Sequence, residues 1–156
     1  MRHTAKHAME FLNRELALEA RGDEQDWEIE LCNPERLVEF INFYKKIDRD
    51  DDVDFALVSL IAASFDTLIA GRINIYNHDY CILMKKSSFD INRFYSDFEI
   101  DIWRNISKIL MSNMNLYIDI INYWSGMREE DIDSDECIFW PSTLFYLELR
   151  LEIFEN

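Results

Sequence analysis

Residues 96–125 read SDFEIDIWRNISKILMSNMNLYIDIINYWS, and this stretch decides the fold class. Its large apolar residues recur at steps of three and four positions, which places their side chains on one face of an α-helix. Gly126 follows directly, and glycine commonly ends helices. The pattern predicts one long helix with a core-facing side formed by Trp103, Ile106, Leu110, Met114, Tyr117, Ile121 and Trp124. We expect the aromatic residues of this helix, including Tyr123, to be core residues.

Four further segments show helical periodicity, namely residues 3–20, 33–47, 53–70 and 144–154. Asn33 and Pro34 favour a helix start, because Asn33 can accept first-turn amides and Pro34 needs no amide at the first helical position. Asp52 or Asp54 is expected to cap the helix at 53–70, and Gly71 is expected to end it.

Three segments are ambiguous between helix and strand. Residues 26–32, DWEIELC, alternate apolar and acidic side chains like a strand, and residues 72–86 could form a hairpin around Asn77-His78. The tail at 144–154, LFYLELRLEIF, fits both periods. We predict a helix there, since Pro141 suits a helix start and a lone terminal strand would lack a clear pairing partner.

The chain has only three glycines and two prolines in 156 residues, which favours long elements. We predict an all-α (mainly α) fold, a single-domain helical bundle of about five helices over residues 1–156, with a short strand or hairpin left open near 26–32 and 72–86. Cys32, Cys81 and Cys137 are odd in number and widely spaced, so reduced thiols in a cytoplasmic protein are expected. Neither a signal peptide nor a transmembrane helix is predicted.

The net charge of −15 is concentrated in three segments. Residues 19–30 carry six acids against Arg21, residues 48–54 carry five against Arg49, and the chain from Met127 onward carries nine against two arginines. Such a surface repels nucleic-acid phosphates and anionic membranes, so neither is an expected partner. It attracts and steers a basic protein. The alternative interpretation is that the acidity only maintains solubility.

Candidate metal and catalytic sites are incomplete in the sequence. The alternating aspartates at 48–54 and at 131–135 lack the glycine and glutamate that a calcium loop requires at its sixth and twelfth positions. His3, His7 and Glu10 could share a helix face, but zinc needs a defined set of three or four ligands. No nucleophile elbow, phosphate loop or dinucleotide motif is present. We therefore predict no metal, no cofactor and no enzymatic activity.

We predict that the acids of the second and third segments contact a partner, together with two apolar residues beside the third. Aromatic anchors next to a charged rim are typical of protein interfaces. The predicted contact residues are Asp48, Asp50, Asp51, Asp52, Asp54, Glu129, Glu130, Asp131, Asp133, Asp135, Glu136, Phe139 and Trp140.

Three blocks carry a resemblance to a known kind of protein: FALVSLIAASFD at 55–66, NLYIDIINYWSGM at 115–127 and FWPSTLF at 139–145. They resemble blocks in small, acidic, helical bacterial proteins of the toxin-immunity type. The resemblance implies a helical tail and an inhibitory function, and it carries no catalytic residues.

Three functional hypotheses follow. The first is a non-catalytic immunity protein that inhibits a basic, nuclease-type bacterial toxin, with carboxylates in place of substrate phosphates. The second is an assembly or phage accessory module that docks through an apolar helix face. The third is an enzyme with an unrecognised carboxylate site. Salt distinguishes the first two, because screening weakens charge steering but not apolar docking.

Overall fold

The computed structural model describes residues 2–46, 48–72, 95–126 and 140–154, and every regular element in those ranges is helical. The all-α prediction is confirmed, and the described ranges alone contain more helices than the five predicted. A 3-10 turn at Pro34–Arg36 leads directly into the third helix. The helices are α1 (Lys6–Glu15), α2 (Trp27–Leu31), α3 (Leu37–Lys46), α4 (Asp51–Arg72), α5 (Asp97–Ser112), α6 (Met114–Ser125) and α7 (Thr143–Phe154).

Helix α4 forms the centre of the bundle. It packs against α1, α2, α3, α5, α6 and the 3-10 turn. Its apolar residues are buried on all sides, including Leu57, Leu60, Ile61, Phe65 and Ile69, each fully inaccessible. Residues 51–71 are long and apolar enough to cross a membrane by length and composition, yet 78% of an apolar 18-residue window within them is buried inside the protein, as in a central core helix.

Aromatic side chains from α4, α5 and α7 join these helices in the core. The Trp103 ring lies 5.6 Å from the Phe65 ring, 5.3 Å from Phe145 and 4.9 Å from Tyr146 between centroids. Such spacings fall in the favourable range for aromatic pairs. The core positions predicted for Trp103, Tyr117 and Trp124 are confirmed. The core position predicted for Tyr123 is wrong, because 39% of that residue is exposed.

The single long helix predicted for 96–125 is wrong in one respect: it is two helices that meet at Asn113. The backbone of Asn113 is extended, with φ −152° and ψ 71°, and its side chain accepts the amide of Leu116. Asn113 therefore acts as the N-cap of a new helix. Ser96 and Glu99 form a reciprocal capping box at the start of α5, and Gly126 ends α6 with φ 56°, as its position in the sequence predicted.

The strand left open near 26–32 is not formed, since Trp27–Leu31 is a short helix. The buried indole of Trp27 donates from Nε1 to Asn13 Oδ1 of α1 at 2.9 Å. The Glu30 carboxylate accepts the backbone amide of Asp26, at the helix start, at 3.5 Å. These contacts fix the helix, and an alternating pattern over so few residues does not exclude it. The hairpin suggested for 72–86 falls on residues outside the described ranges, except for Arg72, which ends α4.

Helix ends differ from the predicted ones by a few residues. Helix α1 is shorter than residues 3–20, and α4 continues through Gly71 to Arg72 instead of ending before it. The tail helix is confirmed as Thr143–Phe154. Cys32 is a free, half-buried thiol 3.3 Å from the Thr67 hydroxyl, and the other two cysteines lie outside the described residues.

Candidate functional site

The aspartate turn, residues 48–54, joins α3 to α4 and contains five of the predicted contact residues. Asp50, rather than Asp52 or Asp54, caps α4: its Oδ1 accepts the Val53 amide at 2.8 Å. This hydrogen bond lowers the pKa of the Asp50 carboxyl. The first turn of α4 also carries Asp51, Asp52 and Asp54, where negative charge interacts favourably with the helix dipole.

Asp54 forms an ion pair with Arg49, whose side chain is only 6% exposed. The guanidinium of Arg49 also donates to the carbonyl oxygens of Phe43 and Tyr44, at the end of α3, and lies 4.5 Å from the centre of the Tyr44 ring. Asp54 thus neutralises a buried cation that holds the α3–α4 corner together, which is a structural role.

Asp52 is engaged by the N-terminal segment. Arg2 donates to Asp52 Oδ1 at 2.8 Å, and His7 Nε2 lies 3.6 Å from Asp52 Oδ2 and 3.5 Å from Asp50 Oδ2. His7, Asp50 and Asp52 are the residues that could offer ligand atoms to a metal ion in the described part of the chain. They differ from the His3, His7 and Glu10 set considered from the sequence. One oxygen of each carboxylate already accepts a hydrogen bond, so the cluster also serves to tie α1 to α4.

Asp48 and Asp51 are the exposed members of the turn whose carboxylates have no partner among the described residues. These two carboxylates could contact another protein with no internal contact to compete. The structure therefore divides the five predicted contact residues of the turn into two that are available and three with internal contacts.

The predicted contact residues from Glu129 to Phe139 lie outside the described ranges, whereas Trp140 lies within them. Trp140 is 36% exposed and forms an aromatic corner with Tyr123 and Trp124 of α6. Its ring stacks on Tyr123 at 5.5 Å and 20°, and meets the edge of Trp124 at 5.5 Å. A Cβ atom on Gly126 would lie 3.5 Å from Trp140 Cδ1, so the indole packs directly on the end of α6.

Hydrogen bonds hold the aromatic corner in position. The Trp140 amide donates to Thr143 Oγ1 at 2.9 Å, and that hydroxyl donates to the Trp124 carbonyl at 2.8 Å. Asp66 of α4 accepts both the amide and the hydroxyl of Ser142, at 2.9 and 2.7 Å. Burial raises the pKa of Asp66 even though these hydrogen bonds act in the opposite direction. The exposed ring of Trp140 is therefore presented from a fixed backbone.

A pocket of about 230 Å³, which we call the α2–α6 pocket, lies beside the aromatic corner. Tyr123 and Trp124 contribute aromatic surface, and Ile29 contributes an exposed apolar side chain. Asp26 and Glu28 also line the pocket, and neither carboxylate has a partner among the described residues. Burial raises the pKa of the Tyr123 hydroxyl, and the charges of Glu28, Asp26 and Asp66 act in the same direction.

The contact residues predicted from the sequence do not include Asp26, Glu28 or Tyr123. The first acidic segment, residues 19–30, contained the relevant signal. An alternating pattern at 26–32 does not place these acids beside α6, whereas the helix Trp27–Leu31 does. The helical periodicity of 96–125 similarly favoured burial of Tyr123.

A larger, apolar groove of about 600 Å³ lies on another face, between the 3-10 turn, α3, the end of α4 and the start of α5. Phe98 and Val38 on its rim are 58% and 46% exposed. Gly71 and Ser96 also line it, next to the positions where the described chain stops at Arg72 and resumes at Tyr95.

The two surfaces differ in chemistry, since one combines carboxylates with aromatic rings and the other is mainly apolar. Comparisons with known protein families, with curated proteins and with solved structures gave no match to this chain.

Proposed function

We propose that this protein is a non-catalytic acidic inhibitor that binds a basic partner protein, in the manner of an immunity protein against a bacterial nuclease-type toxin. The observation that carries the proposal is the exposed Tyr123–Trp140 pair, which stands beside the carboxylates of Asp26 and Glu28, neither of which has a partner in the described ranges. Protein interfaces typically combine aromatic anchors of this kind with charged groups around them.

The proposed mechanism has an electrostatic step and a docking step. The net charge of −15 attracts a basic surface over several ångströms and accelerates encounter. Carboxylates then occupy the positions that substrate phosphates take in the partner's basic cleft, and the aromatic corner excludes water from the contact. In this proposal the protein acts in the cytoplasm, where a nuclease would find its substrate.

The apolar groove favours a second candidate function, an assembly module that docks through a helix face. Exposed Phe98 and Val38 are the observation behind it. Docking there would bury apolar area, so ionic strength would change it little. We give the enzyme hypothesis less weight, since three acids of the aspartate turn, Asp50, Asp52 and Asp54, already cap a helix or form ion pairs.

Co-purification from the native host, followed by titration of the recovered protein at low and high salt, tests the proposal. We expect a basic partner, loss of its activity on binding, and affinity that falls steeply with salt. Neutralising the six acids from Glu129 to Glu136 to Asn and Gln should slow association without unfolding the protein. An acidic partner, salt-independent binding, or turnover of a small molecule by the isolated protein would reject the inhibitor function.

A further inference from the structure

The α2–α6 pocket combines acidic side chains from α2 and its N-cap with aromatic side chains from α6. Asp26 and Glu28 stand at the start of α2, and Tyr123 and Trp124 project from α6. Both acids line the same pocket as Tyr123, and their charges raise the pKa of its hydroxyl. A group that enters the pocket therefore meets negative charge and an aromatic surface at once.

Within the described part of the chain, neither of these two acids forms an ion pair with a cationic residue of the pocket. Arg2 lines the pocket, but its guanidinium donates to Asp52 and lies 5.4 Å from the Phe55 ring centre. The Arg2 backbone amide donates to Asp119, the third acid of the pocket, at 2.6 Å. His3 is the other basic residue in the lining. The site consequently has two carboxylates available to an incoming cation.

We infer that the α2–α6 pocket binds the guanidinium group of an arginine side chain from the basic partner, stacked against Tyr123 and paired with Asp26 and Glu28. This inference rests on the proposed function and names the side chain that the surface recognises. The pocket volume of about 230 Å³ is several times the roughly 30 Å³ that one water molecule occupies, so a guanidinium group fits inside it.

Arginine fits this chemistry better than lysine does. A guanidinium is planar and weakly hydrated, stacks on aromatic faces and can pair with carboxylates through several N–H groups. An ammonium is a compact, strongly hydrated point charge that gains less from a ring face. Tyr123 is neutral at physiological pH, as tyrosine ordinarily is, and burial raises the pKa of its hydroxyl further. The pocket thus favours a cation that can stack on the aromatic ring and pair with the carboxylates at the same time.

Titration of the full chain with two capped peptides, hexa-arginine and hexa-lysine, tests the inference without the natural partner. Binding is followed by calorimetry and by the indole N–H resonances of Trp124 and Trp140. We expect hexa-arginine to bind roughly three- to fivefold more tightly than hexa-lysine and to shift the Trp124 resonance. Tyr123→Leu should abolish this preference, whereas Tyr123→Phe, which keeps the ring face, should retain it.

A matched pair of double variants distinguishes the effect of the pocket's two acids from the effect of the protein's overall negative charge. Asp26→Asn with Glu28→Gln should weaken hexa-arginine binding by roughly three- to tenfold. Glu35→Gln with Glu152→Gln makes the same charge change at exposed positions outside the pocket lining and should weaken binding less than about twofold. Circular dichroism checks that each variant remains folded.

Equal weakening by both double variants, equal affinity for the two peptides, or no measurable binding would overturn the inference. These outcomes are distinct from failure of the proposed function, because the peptide titration needs no partner. A host that yields no basic partner would reject the inhibitor function and leave the peptide result standing. A partner that still binds the Asp26, Glu28 variant at full affinity would reject the pocket alone.

Discussion

Aspartate side chains with similar positions in the sequence have different surroundings in this protein. Asp51 and Asp54 both lie in the first turn of α4, but Asp51 is exposed without a described partner and Asp54 pairs with a guanidinium that is nearly inaccessible to water. A buried cation that loses its carboxylate is left uncompensated at high energetic cost. Replacement of these two residues should therefore have different consequences.

We predict that Asp54→Asn lowers the free energy of unfolding by about 2–3 kcal/mol, somewhat less than the cost of breaking a fully buried pair, because Asp54 is 20% exposed. The matched variant Asp51→Asn removes the same charge from the same turn and should change stability little. Urea denaturation of both variants measures the difference. Equal stabilities would show that the Arg49 contact contributes nothing and that Asp54 is available to a partner.

At the residue scale, local signals in the sequence predicted caps but not tertiary partners. The capping role of Asn33 and the stop at Gly126 are confirmed, because each depends on backbone geometry within a few residues. The cap of α4 is Asp50 because several aspartates in succession offer alternative starts, and packing chooses among them. The Arg49–Asp54 pair could not be predicted, since its energy depends on burial.

At the scale of elements, Asp66 links α4 to the start of α7. Its carboxylate accepts two hydrogen bonds from Ser142, one residue before α7 begins, and burial raises its pKa above the ordinary value of 3.8. The folded chain therefore holds this proton more tightly than the unfolded chain does. The corresponding stabilisation is fully present below pH 3.8 and is lost as the pH rises through the folded-state pKa.

We predict that Asp66→Asn gains stability relative to the parent protein as the pH rises from about 4.5 to 7, because the amide cannot ionise and still accepts from Ser142. Unfolding free energies at several pH values measure the difference between the two proteins. Asp50→Asn is the opposite control: the pKa of Asp50 is lowered, so the parent's advantage is present above pH 3.8 and is lost as the pH falls. A pH-independent difference for Asp66→Asn would contradict the prediction.

The sequence predicted helix identity better than helix boundaries. The apolar period of 96–125 is consistent with both one helix and two, because Asn113 interrupts the backbone while six of the seven predicted core-facing residues stay buried. The exception is Met114, directly after the break, which is 37% exposed. Trp27–Leu31 is a helix anchored through Trp27 to Asn13 of α1, a contact between segments that local periodicity does not contain. Asp26, its N-cap, and Glu28 are the acids of the candidate site, so the ambiguity between strand and helix at 26–32 also concealed the site.

At the scale of the whole molecule, charge and anchoring are separate properties of the surface. The acidic segments create a field that acts before contact, and its effect is lost when salt shortens the Debye length. In the proposed complex the aromatic corner would act only after contact, by excluding water from the interface. Composition alone predicted the first property. The second property could not be predicted from composition, because Tyr123 and Trp140 meet only when the end of α6 packs against the turn before α7.

We predict that the two properties separate in the kinetics of binding to the basic partner recovered from the host. Asp26→Asn with Glu28→Gln should lower the association rate constant several-fold and reduce its dependence on salt, because rim charges steer encounter. Trp140→Ala should leave association nearly unchanged and raise the dissociation rate constant by about tenfold or more, as expected for removal of an aromatic anchor. Phe98→Ala, which removes an exposed aromatic ring from the apolar groove instead, is the matched control and should change neither rate. Surface plasmon resonance at low and high salt measures both constants. If Phe98→Ala accelerates dissociation while Trp140→Ala does not, the partner docks in the apolar groove and the aromatic corner is not its binding surface.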